Sequence, residues 1–279
     1  MKAFELLGLF GIVSLGASYG QGFVPGCKLP FDAIKSVGLA IDAQCGIDGN
    51  AGDNTAKRLE SNAKNNFCAP GNPVTITPGI FTKLQSAADK VDGLRDSLKT
   101  SRSALHDLVK VPNGPMVGEG AVVKFVAFVR DAHFSNEKRK SPPRKSGELV
   151  NCNEPGGEFN DIHIELVNDA NEDDTCTSVT AEMSPHFRPE AWTELTELAI
   201  PRPVRVTGHL FFDGSHQPCR PGKRASPARI SVWEIHPVYG FDICTSKSIS
   251  ACRKNTNNDA FWVPLDRWHS HEEDEEEDN

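Results

Sequence analysis

The apolar positions of the chain follow two periods, and the change falls near Gly118. Before it, residues 23–112 repeat at helical spacing. The clearest segment is TPGIFTKLQSAADKV, with Thr77 as a cap, Pro78 at the first helical position, and Ile80, Phe81, Leu84 and Ala87 on one face. AKRLESNAKNNFC (56–68) and LRDSLKTSRSALHDLV (94–109) show weaker versions of the same period, and GIDGNAGDNT (46–55) is a turn-rich loop.

Beyond Gly118 the period becomes two, the signature of half-buried strands. AVVKFVAFVRDAH (121–133) is a long strand. DIHIELV (161–167) sets Ile162, Ile164 and Leu166 against Asp161, His163 and Glu165. CTSVTAEMS (176–184) sets Val179, Ala181 and Met183 against Ser178, Thr180 and Glu182. PEAWTELTELA (189–199) reads as a short helix, and VRVTGHLFFD (204–213) returns to strand. In ISVWEIHPVYGFDIC (230–244), Trp233, Ile235, Tyr239, Phe241 and Ile243 share one parity and are predicted to fill the core. Glu234 and His236 share the other with Val232 and Val238, and Pro237 marks a bend or bulge.

Strand, strand, strand, helix, strand, strand is the element order of an OB-fold, a five-stranded Greek-key barrel. The predicted class is therefore α+β: a helical region (21–115), then an OB-fold-like barrel domain (116–265), stapled by disulfides. KNNFC (64–68), VKFVAFVRDAHFSN (123–136), SVTAEMSPHFRP (178–189) and WEIHPVY (233–239) resemble recurring features of an uncharacterised family of secreted bacterial proteins. That resemblance implies chain architecture and compartment and carries no activity with it.

Composition agrees with export. Met1–Lys2, the apolar run Leu6–Leu15 and the small residues to Gly20 read as a signal peptide over residues 1–20, too short to span a bilayer. Eight cysteines without a C-x-x-C pair favour disulfides over a zinc knuckle. The net charge of −8 is concentrated in EEDEEED (272–278), which supplies seven of those charges. The segment 266–279 is expected to be a disordered acidic tail, because such a tract repels itself.

Two loops concentrate the positive charge. NEKRKSPPRKSG (136–147) carries Lys138, Arg139, Lys140, Arg144 and Lys145, and CRPGKRASPAR (219–229) carries Arg220, Lys223, Arg224 and Arg229. In ligand-binding OB-folds the corresponding loops flank the binding face. The first reading is thus a secreted binding module for an anionic polymer, nucleic acid or acidic glycan.

The face between those loops is acidic and carries histidine, which points to other chemistry. Asp161, His163 and Glu165 stand at i, i+2 spacing and form a candidate set for a divalent cation. Glu234 with His236, and His216 near Asp213, are candidate acid/base residues, and Asp131 with His133 repeats the spacing. The second reading is a metal-dependent phosphodiesterase or nuclease. The third is a structural or protein-interaction protein with no ligand site. A serine hydrolase of the G-x-S-x-G type and the glycine patterns of nucleotide binding are absent from the sequence.

Overall fold

The structure, a computed structural model, describes residues 46–67, 69, 71–91, 102–135, 147–186 and 188–268. The signal segment, residues 269–279 of the acidic tail and most of the first basic loop, with Lys138, Arg139, Lys140, Arg144 and Lys145, lie outside the described residues. Residues 266–268, expected to begin the disordered tail, are instead helical, and Trp268 packs into the core.

Five strands close on themselves. They are β4 (Val122–Phe134), β5 (Ile162–Val167), β6 (Val179–Met183), β7 (Val204–Phe212) and β8 (Trp233–Cys244). The order around the barrel is β4-β5-β6-β8-β7, and β7 pairs back onto β4. All these pairings are antiparallel except β6 with β8, which is parallel through Ala181 and Ile235. The period-two pattern accounts for the lining: Phe125, Ile164, Ala181, Val206, Trp233 and Phe241 all meet in one core. Full burial of a large apolar side chain stabilises by about 1.5–3 kcal/mol. Phe212 and Trp233 add an edge-to-face ring contact at 5.4 Å.

The closing strand departs from simple alternation. Its register against β7 shifts twice, between Thr207 and Gly208 and again between Gly208 and Leu210, around Pro237 as expected. The bulges exchange two residues relative to the predicted parity. Val238 enters the core, while Tyr239 leaves it, donating its hydroxyl hydrogen to the Asn66 carbonyl and accepting from the Ala69 amide. Opposite the bulge, a Cβ on Gly208 would lie 2.5 Å from the Pro237 carbonyl oxygen, so the close approach requires glycine.

The segment before the barrel contributes α1 (Thr55–Lys64), β1 (Val74–Ile76), α2 (Pro78–Ala88), and the small hairpin of β2 (Val109–Lys110) with β3 (Met116–Val117). Asn54 caps α1 by accepting from the Lys57 amide. α2 starts at Pro78 as its pattern predicts, and Ile80, Phe81, Leu84 and Ala88 pack into the barrel core. β1 extends the sheet by pairing parallel with β4. The described end of the third predicted helix is one 3-10 turn, Ser103–Leu105, because pairing of Val109 with Val117 draws the chain into the hairpin. The predicted helix after β6 is a 3-10 helix, Glu190–Thr196, seated by Trp192 and Leu195.

β9 (Trp262–Pro264) pairs with β8, following α3 (Ile249–Lys254). Disulfides join Cys176 to Cys219 and Cys244 to Cys252. Among the described residues, no helix is long and apolar enough to cross a membrane.

Candidate metal centre

Glu182 lies on β6 between two histidines because of the strand register. Antiparallel pairing sets it opposite His163 of β5, and the parallel pairing of β6 with β8 brings His236 to its other side. Its Oε1 is 3.1 Å from His163 Nε2, and its Oε2 is 2.6 Å from His236 Nδ1. Glu182 and His236 are buried, whereas His163 is partly open to solvent.

The long connection between β4 and β5 supplies two more carboxylates. Glu148 Oε1 is 3.6 Å from His163 Nε2, and Asp161 Oδ2 is 3.6 Å from His236 Nε2. Ser135 Oγ lies 2.7 Å from His163 Nε2 and donates to Glu148 Oε1 at 2.9 Å. The hydroxyl therefore accepts from the imidazole. The Asn151 amide donates to both Glu148 Oε2 and Asp161 Oδ1, and the Asp161 backbone N–H also donates to Glu148 Oε2. Buried Arg188 donates to the carbonyls of Asn160, Gly157, Glu158 and Met183, which pins this connection to the end of β6.

α1 and the connection between β7 and β8 complete the surroundings. Lys64, at the end of α1, places Nζ 3.6 Å from Glu182 Oε2. Arg229 donates to Glu234 Oε2 at 2.9 Å and to Asp213 Oδ2 at 2.6 Å, and half-exposed His216 meets the same Asp213 oxygen at 2.6 Å. Glu234 Oε1 faces His236 Nδ1 at 3.6 Å. Behind β8, His209 Nδ1 is 2.8 Å from the His236 carbonyl. Burial holds His209 down to about 3, so it is a neutral imidazole whose Nδ1–H donates to that carbonyl.

Two sets of three side chains each bring one ligand atom apiece within 4.8 Å of one another: Glu148, His163 and Glu182, and Asp161, Glu182 and His236. The electrostatics reflect this crowding. Burial, with Glu148 beside it, pushes the Asp161 carboxyl up to about 7. Burial, with Glu182 and Asp213 nearby, likewise raises Glu234. His163 and His236 are raised to about 9 and about 10, because their carboxylate neighbours outweigh the burial that works against charging them. Glu182 is held well below the ordinary carboxylate range; burial opposes this, but His163, Lys64 and His236 prevail. Glu148 is lowered to about 2, again against burial, by its contact with His163 and by Lys64.

No protein-family model, curated protein or solved structure matches the chain. Of the predicted cation set, Asp161 and His163 lie in the cluster, each beside a different histidine–carboxylate contact. Glu165 does not join them: it pairs with Arg130 at 3.2 Å near the protein surface, because β5 carries it away from Glu182. Among the predicted acid/base residues, His236 is central and Glu234 stands behind it. His216 belongs to the separate Asp213 contact. Asp131 and His133 pair with each other at 2.8 Å.

Arg220, Lys223 and Arg224 line an open pocket of about 440 Å³ beside the Cys176–Cys219 disulfide, at the far end of β6 from Glu182. Arg229 is not part of that exposed group. The chain turns inward where the Ile230 amide bonds to the Ser178 carbonyl, and the guanidinium is buried between two carboxylates. No sequence pattern marks Glu148 or Lys64 for the site, and Glu182 enters the pattern as an outward residue of the acidic strip between the basic loops, outside the predicted cation set. The shared face of His163 and Glu182 was visible in the period; the register that sets them opposite was not.

Proposed function

We propose that the protein is a secreted, metal-dependent hydrolase of phosphodiesters. The observation that carries this reading is the position of Glu182 between two imidazoles, with Glu148 and His163 on the solvent side. Mixed carboxylate and imidazole ligands suit Zn²⁺ or Mn²⁺ better than Ca²⁺. Three protein ligands from Glu148, His163 and Glu182 leave positions for water and for a phosphoryl oxygen, the arrangement a catalytic ion needs. Both imidazoles must be neutral to coordinate, so loading releases protons. The strand order, with β6 parallel to β8 and β7 closing on β4, supports the OB-fold reading, in which ligands cross the second and third strands. Those strands are β5 and β6. The disulfides, and the signal peptide that the sequence predicts over residues 1–20, support export.

The test uses full-length protein stripped with chelator and then supplied with Zn²⁺, Mn²⁺, Co²⁺ or Mg²⁺. Bis(p-nitrophenyl) phosphate and single-stranded nucleic acid are the substrates. Cleavage restored by metal and lost in Glu182→Gln is expected. No turnover with any of the four ions would overturn the reading.

The exposed Arg220, Lys223 and Arg224 favour a second reading, a binding module for an anionic polymer in which the cluster is structural. It predicts retention on heparin that weakens with salt and with the triple substitution to Gln, in protein free of any hydrolytic activity.

A further inference from the structure

We propose that the centre holds two metal ions, the second bound by Asp161, Glu182 and His236 behind the first, with Glu182 as the shared bridging carboxylate. This rests on reading Glu148, His163 and Glu182 as the first, solvent-facing set. The second set differs from the first in being wholly enclosed: Asp161, Glu182 and His236 are each 3 % exposed or less.

Three observations carry the proposal. Glu182 divides its oxygens, Oε1 toward His163 and Oε2 toward His236, which is how a carboxylate spans two ions. Asp161 Oδ2 is buried and accepts no hydrogen bond, although Oδ1 of the same carboxylate is held by Asn151. Arg188, buried and close enough to act electrostatically on Asp161, commits its guanidinium to four carbonyls instead. A buried acceptor left without a donor is costly, and a cation removes that cost.

The surroundings of His236 also fit a ligand. One ring nitrogen, Nε2, faces Asp161, while Nδ1 faces Glu182 and Glu234. An imidazole that binds metal through one nitrogen commonly directs the other to an outer carboxylate. Of the two carboxylates at Nδ1, Glu234 is the one outside the proposed ligand set, and Arg229 fixes it from behind. Phe211, its ring 5.7 Å from the imidazole, closes the far side. Charge agrees with geometry: with both imidazoles neutral, as coordination requires, Glu148, Asp161, Glu182, Asp213 and Glu234 outnumber the permanent cations that act on them among the described residues, Lys64, Arg188 and Arg229. Such a pocket has a surplus of negative charge for further cations to neutralise.

The experiment loads chelator-stripped, full-length protein with Zn²⁺ alone and measures metal per chain. Two ions are expected, released by a chromophoric chelator in two phases, with the enclosed ion the slower. Asp161→Asn is expected to leave one ion and abolish the slow phase, and Glu148→Gln to leave one ion and abolish the fast phase. Glu182→Gln is expected to weaken both by more than the roughly 10–100-fold that loss of an outer partner causes. Circular dichroism identifies any variant that fails to fold. Wild-type protein loaded with Mn²⁺ then gives an independent readout, because bridged ions show exchange coupling by electron paramagnetic resonance and isolated ions do not. A single Zn²⁺ per chain, two ions surviving in Asp161→Asn, or uncoupled Mn²⁺ would overturn the proposal. One ion with phosphodiester cleavage sinks the second site and leaves the hydrolase reading standing. Two coupled ions without cleavage do the reverse.

Discussion

Two sets of buried charges share the Phe211 ring, and they are built to opposite specifications. In one, Arg102 stacks 5.0 Å over the ring and grips Glu119 with two N–H groups. Both Glu119 oxygens accept, one of them also from the Phe212 amide, and Arg102 donates a further bond to the Phe212 carbonyl. In the other, Lys64 lies 5.5 Å over the same ring and reaches Glu182, in a cluster where Asp161 Oδ2 and Glu234 Oε1 have no donor. The first set is complete as it stands and ties the segment before the barrel to β7. The second is rich in acceptors and histidines and incomplete. Burial alone is thus a poor guide to function; the unpartnered acceptor discriminates between the two.

The largest test of this contrast is Glu119→Gln. It leaves the Arg102 guanidinium buried against a neutral amide and is expected to cost about 3–5 kcal/mol in urea unfolding. A loss below about 1 kcal/mol would erase the distinction.

Acid sharpens the comparison next. Asp213 is buried and held well below the usual carboxylate value by His216 and Arg229, although burial opposes this. Its folded form binds a proton less readily than its unfolded form, so its stabilisation is full above about pH 4 and drains as pH falls further. Wild-type protein should therefore lose up to about 1.4 kcal/mol per pH unit more than Asp213→Asn over that acid window. Parallel unfolding curves for the two at pH 4, 3 and 2 would refute the assignment.

Asp161→Asn should cost under about 1 kcal/mol, even though the residue is fully buried. Its carboxyl titrates near neutrality, so a neutral amide differs little from the native state. A thermal melt is enough to check this, and a collapse comparable to Glu119→Gln would show Asp161 to be structural. The smallest effect belongs to Glu165→Gln, which removes only the half-exposed pair with Arg130. It is expected to change stability by under about 0.5 kcal/mol and leave bound metal unchanged. Loss of metal there would redraw the site.

The barrel strands were legible in sequence because each buries one face, and their observed bounds fall within a few residues of the alternating runs. The bulges of β8 were not, since Val238 and Tyr239 exchange roles through backbone geometry that no side-chain period encodes. The site was legible in kind and not in pairing. Residues two apart on one strand share a face, yet Glu182 lies closer to His236 than Glu234 does, at 2.6 Å against 3.6 Å. His163 likewise finds its partners in Glu182 and Glu148 rather than Asp161. Cross-strand register decides such partners, and register follows from closure of the whole barrel. Arg229 was misplaced for a related reason: charge density along the chain does not reveal which residue of a loop turns inward.

The Tyr239 hydroxyl has a consequence for modularity. It bonds the closing strand to the Asn66 carbonyl and the Ala69 amide, just past the helix that presents Lys64. α2 meanwhile sends Phe81 and Leu84 into the core. A transplant of residues 116–265 alone would carry His163, Glu182 and His236 but forfeit the ammonium at Glu182 and part of the core's filling. The smallest portable unit is therefore the barrel together with its preceding segment, and any graft of this site onto another scaffold must bring α1 with it.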